Sequence, residues 1–140
     1  MANNDLDLSK IWLFSTSSAK DLRTVRKALE TVNVPPGRVL CEQGTIGREF
    51  FLIAQGEATV RRNNRKVTTL GPTQYFGELA LLDRRPRSAT VVSDTDMTLL
   101  VLGQRQFNGV LDAVPALSRK MLAAMATRLR EADERAMASV

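Results

Sequence analysis

The stretch Phe76-Gly77-Glu78-Leu79-Ala80-Leu81-Leu82-Asp83-Arg84-Arg85-Pro86-Arg87-Ser88-Ala89-Thr90-Val91 holds the residue types best suited to gripping an anion. Gly77 lacks a Cβ, so the backbone there can approach a ligand closely, and a helix opening at Glu78 would aim unpaired N–H groups at an anion placed before it. Arg87 offers a planar, permanently charged fork that matches phosphate oxygens, and Ser88 adds a hydroxyl donor beside it. A carboxylate is repelled by the same phosphate, so Glu78 needs a separate task, such as accepting hydrogen bonds from a sugar hydroxyl. A nucleotide whose ribose hydroxyl is free has both features. Taken singly, each residue also has a plainer reading: Glu78 as a helix N-cap, Arg87 as the ion-pair partner of Asp83 or Glu78.

Other chemistries find little support. Histidine is absent from all 140 residues, which removes the commonest general base, the commonest nucleophile pairs and the commonest metal ligand. A phosphodiesterase would need a metal cluster rich in His and Asp, and no carboxylates cluster at suitable spacing, so the expectation is a binder with no catalytic residues, no metal and no cofactor. Cys41 is the single cysteine; beside Leu40 it reads as a small core residue, not a nucleophile. The net charge of +5 favours anionic partners without choosing among them, and the basic clusters Arg61-Arg62, Arg65-Lys66 and Arg84-Arg85 read as solvated surface. No apolar run reaches a bilayer-spanning length, and the start at Met1 lacks the pattern of a secretory signal, so a cytoplasmic location without a membrane span is expected.

The length fits one domain, 1–140, and the 44% hydrophobic and 25% charged fractions are those of a globular chain. Apolar positions at Leu8, Ile11, Trp12 and Phe14, then Leu22, Val25, Ala28 and Leu29, fit two short helices over about 8–29, divided at Ser15–Ser18. From Val32 the pattern changes to short strands: Val39–Cys41, Phe50–Ile53, a meander through Ala58–Arg62 and Val67–Leu70 around Asn63-Asn64, then Ser88–Val92 and Met97–Leu102. Glu78–Leu82 interrupts them as a short helix. After about residue 102 the chain becomes helical again, Gln104–Leu111 and then about Ala116–Ala138, with Pro115 placed where it does least harm. Leu122, Met125, Leu129, Ala132 and Ala136 approximate a heptad seam, fitting either packing against the strands or pairing with a second copy. Helices, many short strands, then helices point to a mainly β antiparallel barrel or jelly roll with flanking helices.

Phe-Gly-Glu-Leu-Ala-Leu-Leu followed by Pro-Arg-Ser-Ala-Thr-Val resembles the phosphate-binding cassette of the cyclic-nucleotide-binding domain family. Glu42–Gly47 and Phe50–Gly56 are similar to that family's glycine-punctuated turns, and the resemblance runs from about Leu8 to about Arg135. It implies an eight-stranded β-roll whose last helix is a lid. It implies that Glu78 binds the ribose 2′-hydroxyl and that Arg87 and Ser88 hold the phosphate. Backbone amides around Gly77, Leu79 and Ala80 would complete the cradle, which Phe76 and Ala89 flank. Base contacts would fall to Val67 and Thr68 from the barrel and to Arg128, Leu129 and Ala132 from the last helix. In bacterial cAMP-responsive regulators a hydroxyl-bearing pair meets the adenine there, whereas Ala132 and Asp133 stand at the matching positions here. Serine after the cassette arginine suits cAMP over cGMP. The regulators' DNA-binding helix-turn-helix has no counterpart before Val140, so no sequence-specific DNA binding is expected; the expected partners are a cyclic nucleotide and an effector protein or second copy. The alternatives are a degenerate roll used for protein contacts, or a module from a larger channel, transporter or enzyme.

Overall fold

The computed structural model describes residues 6–138; the two chain ends weighed above, residues 1–5 and 139–140, lie outside the described residues. The chain divides into two compact units, one built on Lys27–Asn108, the other on Asp7–Arg26 and the segment from Gly109 onward.

The first unit contains eight strands: β1 (Glu30–Val34), β2 (Val39–Cys41), β3 (Glu49–Gln55), β4 (Ala58–Arg62), β5 (Arg65–Leu70), β6 (Tyr75–Phe76), β7 (Thr90–Ser93) and β8 (Met97–Gly103). They form two four-stranded sheets in the orders β1-β8-β3-β6 and β2-β7-β4-β5, and the pairings are antiparallel. The inner faces share one core, with Phe51, Ile53, Leu99 and Val101 from the first sheet meeting Cys41, Ala58 and Val91 from the second. Strand β8 is buried along both faces up to Leu102, which is why its sequence is a continuous apolar run. On the other side of the first sheet Phe50 meets Tyr75 and Phe107, with ring centroids 5.6 and 5.4 Å away.

The hairpin between β4 and β5 turns on Asn63 and Asn64, with φ of 54° and 65°, the left-handed pair that a two-residue hairpin turn requires. Ser93 closes β7 onto the turn before β2: its hydroxyl donates to Pro35 O at 2.6 Å and accepts from Arg38 N–H at 2.9 Å.

Local differences from the sequence reading have physical causes. Strand β1 starts at Glu30, because Glu30–Val34 pairs residue for residue with β8, with Val32 and Val34 turned to the core. Strand β7 starts only at Thr90, because the backbone before it is committed elsewhere: Arg87 N–H donates to Thr45 O at 2.7 Å and Arg87 O accepts from Gly44 N–H at 2.9 Å. The two-residue strand β6 is too short to leave a periodic signal. Helix α1 (Ala19–Ala28) matches the second expected N-terminal helix, but the first is a pair of 3-10 turns, Leu8–Lys10 and Trp12–Phe14. Asp7 holds the first of these turns by accepting from Ser9 N–H at 3.0 Å.

Helices α2 (Glu78–Asp83), α3 (Gln104–Ala113) and α4 (Pro115–Ala138) complete the structure. In the helical unit the buried apolar residues include Leu13, Phe14, Val25, Val114, Leu117 and Met121. Beyond Met121 the face of α4 carrying Leu122 and Leu129 is exposed, at 65% and 64%. No helix among the described residues is long and apolar enough to cross a membrane.

Candidate functional site

The site grows from two glycines and the arginine between them. Gly77 precedes α2 with φ 93°, and a Cβ there would lie 2.7 Å from Glu49 O and 2.9 Å from Arg87 Nη1. Gly47 has ordinary backbone angles, yet its Cβ would lie 2.6 Å from Arg87 Nε and 2.7 Å from Ala80 Cβ. The Arg87 guanidinium occupies this slot, 7% exposed, donating from Nη1 to Gly77 O and from Nη2 to Glu49 O, both at 2.8 Å. Two of the five N–H groups a guanidinium carries are thereby spent on main-chain carbonyls. The positive charge is fixed in place by the backbone.

Glu78 opens α2 and is 4% exposed. The N-cap position itself is taken by Gly77, and Glu78 is the acidic residue of the first turn. Asp83 accepts from Arg85 N–H at 2.9 Å. Ser88 is exposed, and its carbonyl accepts from Arg62 Nε–H at 3.0 Å. Phe76 is buried and stacks on Phe51 at 4.8 Å; Ala80 is buried, Leu79 is exposed and Ala89 half-buried. Gly77, Glu78, Ala80 and Arg87 are thus brought together, with Ser88 next along the chain.

Thr68 lies on β5 opposite Val60, with Val67 beside it, and both are exposed. Arg128, Leu129 and Ala132 occupy exposed positions on α4, in the helical unit. A cleft of about 380 Å³ lined by Ile46, Gly47, Ala80, Arg84, Arg85, Pro86 and Gln104 shares Ala80 with the candidates. Cys41 is buried, and burial pushes its thiol up to about 11 against the opposing charge of Arg87, which leaves it inert at neutral pH. Among the described residues no group of three His, Cys, Asp or Glu is placed to hold a metal ion.

Three residues in hydrogen-bond or steric contact with the cassette escape the sequence reading. Glu49 acts through its carbonyl, which leaves no side-chain signature. Gly47 read only as loop punctuation, and Arg62 was submerged in a charge cluster, although its two-residue spacing from Ala58 and Val60 placed it on their face of a strand.

The family model described as cyclic nucleotide-binding domain matches residues 31–113. The cAMP-dependent protein kinase regulatory subunit of Pyricularia oryzae is 35% identical over 129 residues, covering 90% of this chain and 33% of that protein. Among solved structures, the catabolite activator protein of Thermus thermophilus superposes with a TM-score of 0.83 at 29% identity, over 89% of this chain and 61% of that one. The regulatory domain of Toxoplasma gondii PKA, crystallised with cAMP, gives a TM-score of 0.68 at 34% identity over 74% of this chain and 41% of that one. The chain spans a third or less of the length of the first curated relatives it matches, 33% and 24%.

Proposed function

The chain belongs to the cyclic nucleotide-binding domain family, and from that premise we propose that it is a non-catalytic cAMP sensor that signals through movement of its C-terminal helix α4. The observation that carries this reading is Arg87: a guanidinium held in the roll by two carbonyls, at 2.8 Å each, with donors left over. Holding a guanidinium at 7% exposure is costly, and an anion bound to its remaining donors offsets that cost. A cyclic nucleotide supplies that anion, its phosphate meeting Arg87 and the Ser88 hydroxyl, its ribose 2′-hydroxyl meeting Glu78. Backbone amides around Gly77, Leu79 and Ala80 extend the cradle, with Phe76 and Ala89 at its edges. Val67 and Thr68 of β5 cover the base.

On this reading residues 1–140 act as one cytoplasmic regulatory domain, and ligand shifts the population toward the arrangement of α4 that it binds better. The exposed Leu122 and Leu129 then offer α4 to an effector protein or a second copy. The test is isothermal titration of nucleotide-free protein with cAMP and then cGMP. Saturable one-site binding, tighter for cAMP, is expected. Absence of heat with either ligand refutes the sensor reading, and tighter binding of cGMP reverses the assigned specificity.

A further inference from the structure

Strand β4 ends in an exposed arginine, Arg62, on the face that its preceding residues turn to the core. Side chains alternate along a strand; Ala58 is fully buried and Val60 packs against the same core, so the next residue on that face is Arg62. The register supports the assignment, with Ala58 opposite Ser93 and Val60 opposite Val91 on β7. Arg62 is tied to the chain just before β7 by the hydrogen bond from its Nε–H to Ser88 O, 3.0 Å long. The hairpin tip is fixed as well: Gln43 Nε2 donates to Asn63 Oδ1, and Asn63 N–H donates to Gln43 Oε1, each at 2.9 Å.

Across the hairpin Arg62 sits directly opposite Arg65, and like charges in that position repel. Among the described residues no carboxylate pairs with either of them. Both side chains are exposed, so what opposes their placement is their mutual repulsion, and an anion bound beside Arg62 relieves it. Arg62 spends only Nε–H on Ser88, so the four N–H groups on Nη1 and Nη2 are available to a ligand. They are presented beside the residue whose hydroxyl is assigned to the phosphate.

We propose that Arg62 is a second guanidinium for the phosphate of the bound cyclic nucleotide, complementing the buried Arg87 from the end of β4. The inference rests on the cyclic-nucleotide reading of the cassette. Arg87 is buried and fixed, and sets where the phosphate sits. Arg62 is exposed, and adds charge from the side that is open before binding. Two cations at one anion make affinity more sensitive to salt than one does.

Titration calorimetry with cAMP at low and high salt tests this on the parent protein, Arg62→Gln, Arg62→Lys and Arg61→Gln. Arg61 is the adjacent residue on the outer face, so Arg61→Gln loses the same charge without the same placement. The expected result is a roughly tenfold loss of affinity for Arg62→Gln with a shallower salt dependence, and affinity within about twofold of the parent for Arg61→Gln. Arg62→Lys keeps the salt dependence, because the charge is kept. Parent-like binding by Arg62→Gln overturns the proposal, as does an equal loss in Arg61→Gln, which would mean bulk charge alone. Arg62→Lys as weak and as salt-insensitive as Arg62→Gln also overturns it, reducing Arg62 to a clamp on Ser88. If the parent binds neither cAMP nor cGMP, the functional reading itself fails; parent binding with unaffected variants sinks only the role of Arg62.

Discussion

Gly47 and Gly77 decide where the Arg87 guanidinium can lie, and they do so differently. Gly77 needs its positive φ as well as its missing side chain, so replacing it would strain the backbone and the site together. Gly47 has no such strain, and the obstacle to a Cβ is the guanidinium itself, 2.6 Å away at Nε. Gly47→Ala should therefore push Arg87 out of line with its two carbonyls and weaken cAMP binding about tenfold or more, with a smaller effect on stability. Titration calorimetry beside thermal denaturation checks this; unchanged affinity would mean that the guanidinium is not confined by this slot. The visibility of the site in the sequence follows from the same division. Glu78, Arg87 and Ser88, whose proposed roles lie in their side chains, fall in one contiguous stretch and are legible there. Glu49 acts through a carbonyl and Gly47 through an absent atom, so neither carried a signal of its own. The base contacts assigned to Val67, Thr68, Arg128, Leu129 and Ala132 came from resemblance alone, and their roles stand as proposals.

At the scale of elements, the sheets were readable where packing imposes a period and unreadable where hydrogen bonding alone makes the strand. Strands β3 and β8 announce themselves as apolar runs because both faces of each are largely covered. Strand β6 has two residues held by pairing with β3, too few for any pattern. The turn before it shows a local compromise. Gln74 N–H donates to Gly71 O at 3.1 Å, and Gln74 Oε1 accepts from Gly71 N–H at 2.8 Å. Pro72 suits the second position of this turn. The third calls for positive φ, and Thr73 takes it at 73°, a conformation that β-branched residues disfavour. Thr73 N–H is used, donating to Ile53 O at 2.8 Å, and glycine would keep that bond while relieving the strain. Thr73→Gly is expected to stabilise the protein by about 1 kcal/mol, or roughly 3 °C in thermal denaturation. A lowered midpoint would show that the threonine side chain contributes more than its backbone costs.

For the whole molecule, the question is whether events at the cassette reach the helical unit. That unit contains its own reporter. Trp12 is the single tryptophan in the chain; it is 52% exposed, and Lys120 Nζ on α4 lies 4.2 Å from its ring centroid. A cation over an indole is worth about 0.5–1 kcal/mol at an exposed site, weak enough to break when α4 shifts against the Trp12–Phe14 turn and close enough to alter the emission when it does. If cyclic nucleotide redistributes α4 between two arrangements, saturating cAMP should change Trp12 fluorescence, with a midpoint equal to the calorimetric dissociation constant. Arg87→Ala should abolish the response by abolishing binding, whereas Lys120→Ala should diminish the response while leaving binding near that of the parent. The decisive result is the pair of measurements on the parent protein. Full calorimetric saturation with Trp12 emission unmoved would confine the effect of the ligand to the β unit, and α4 would then have to give up its place as the signalling element.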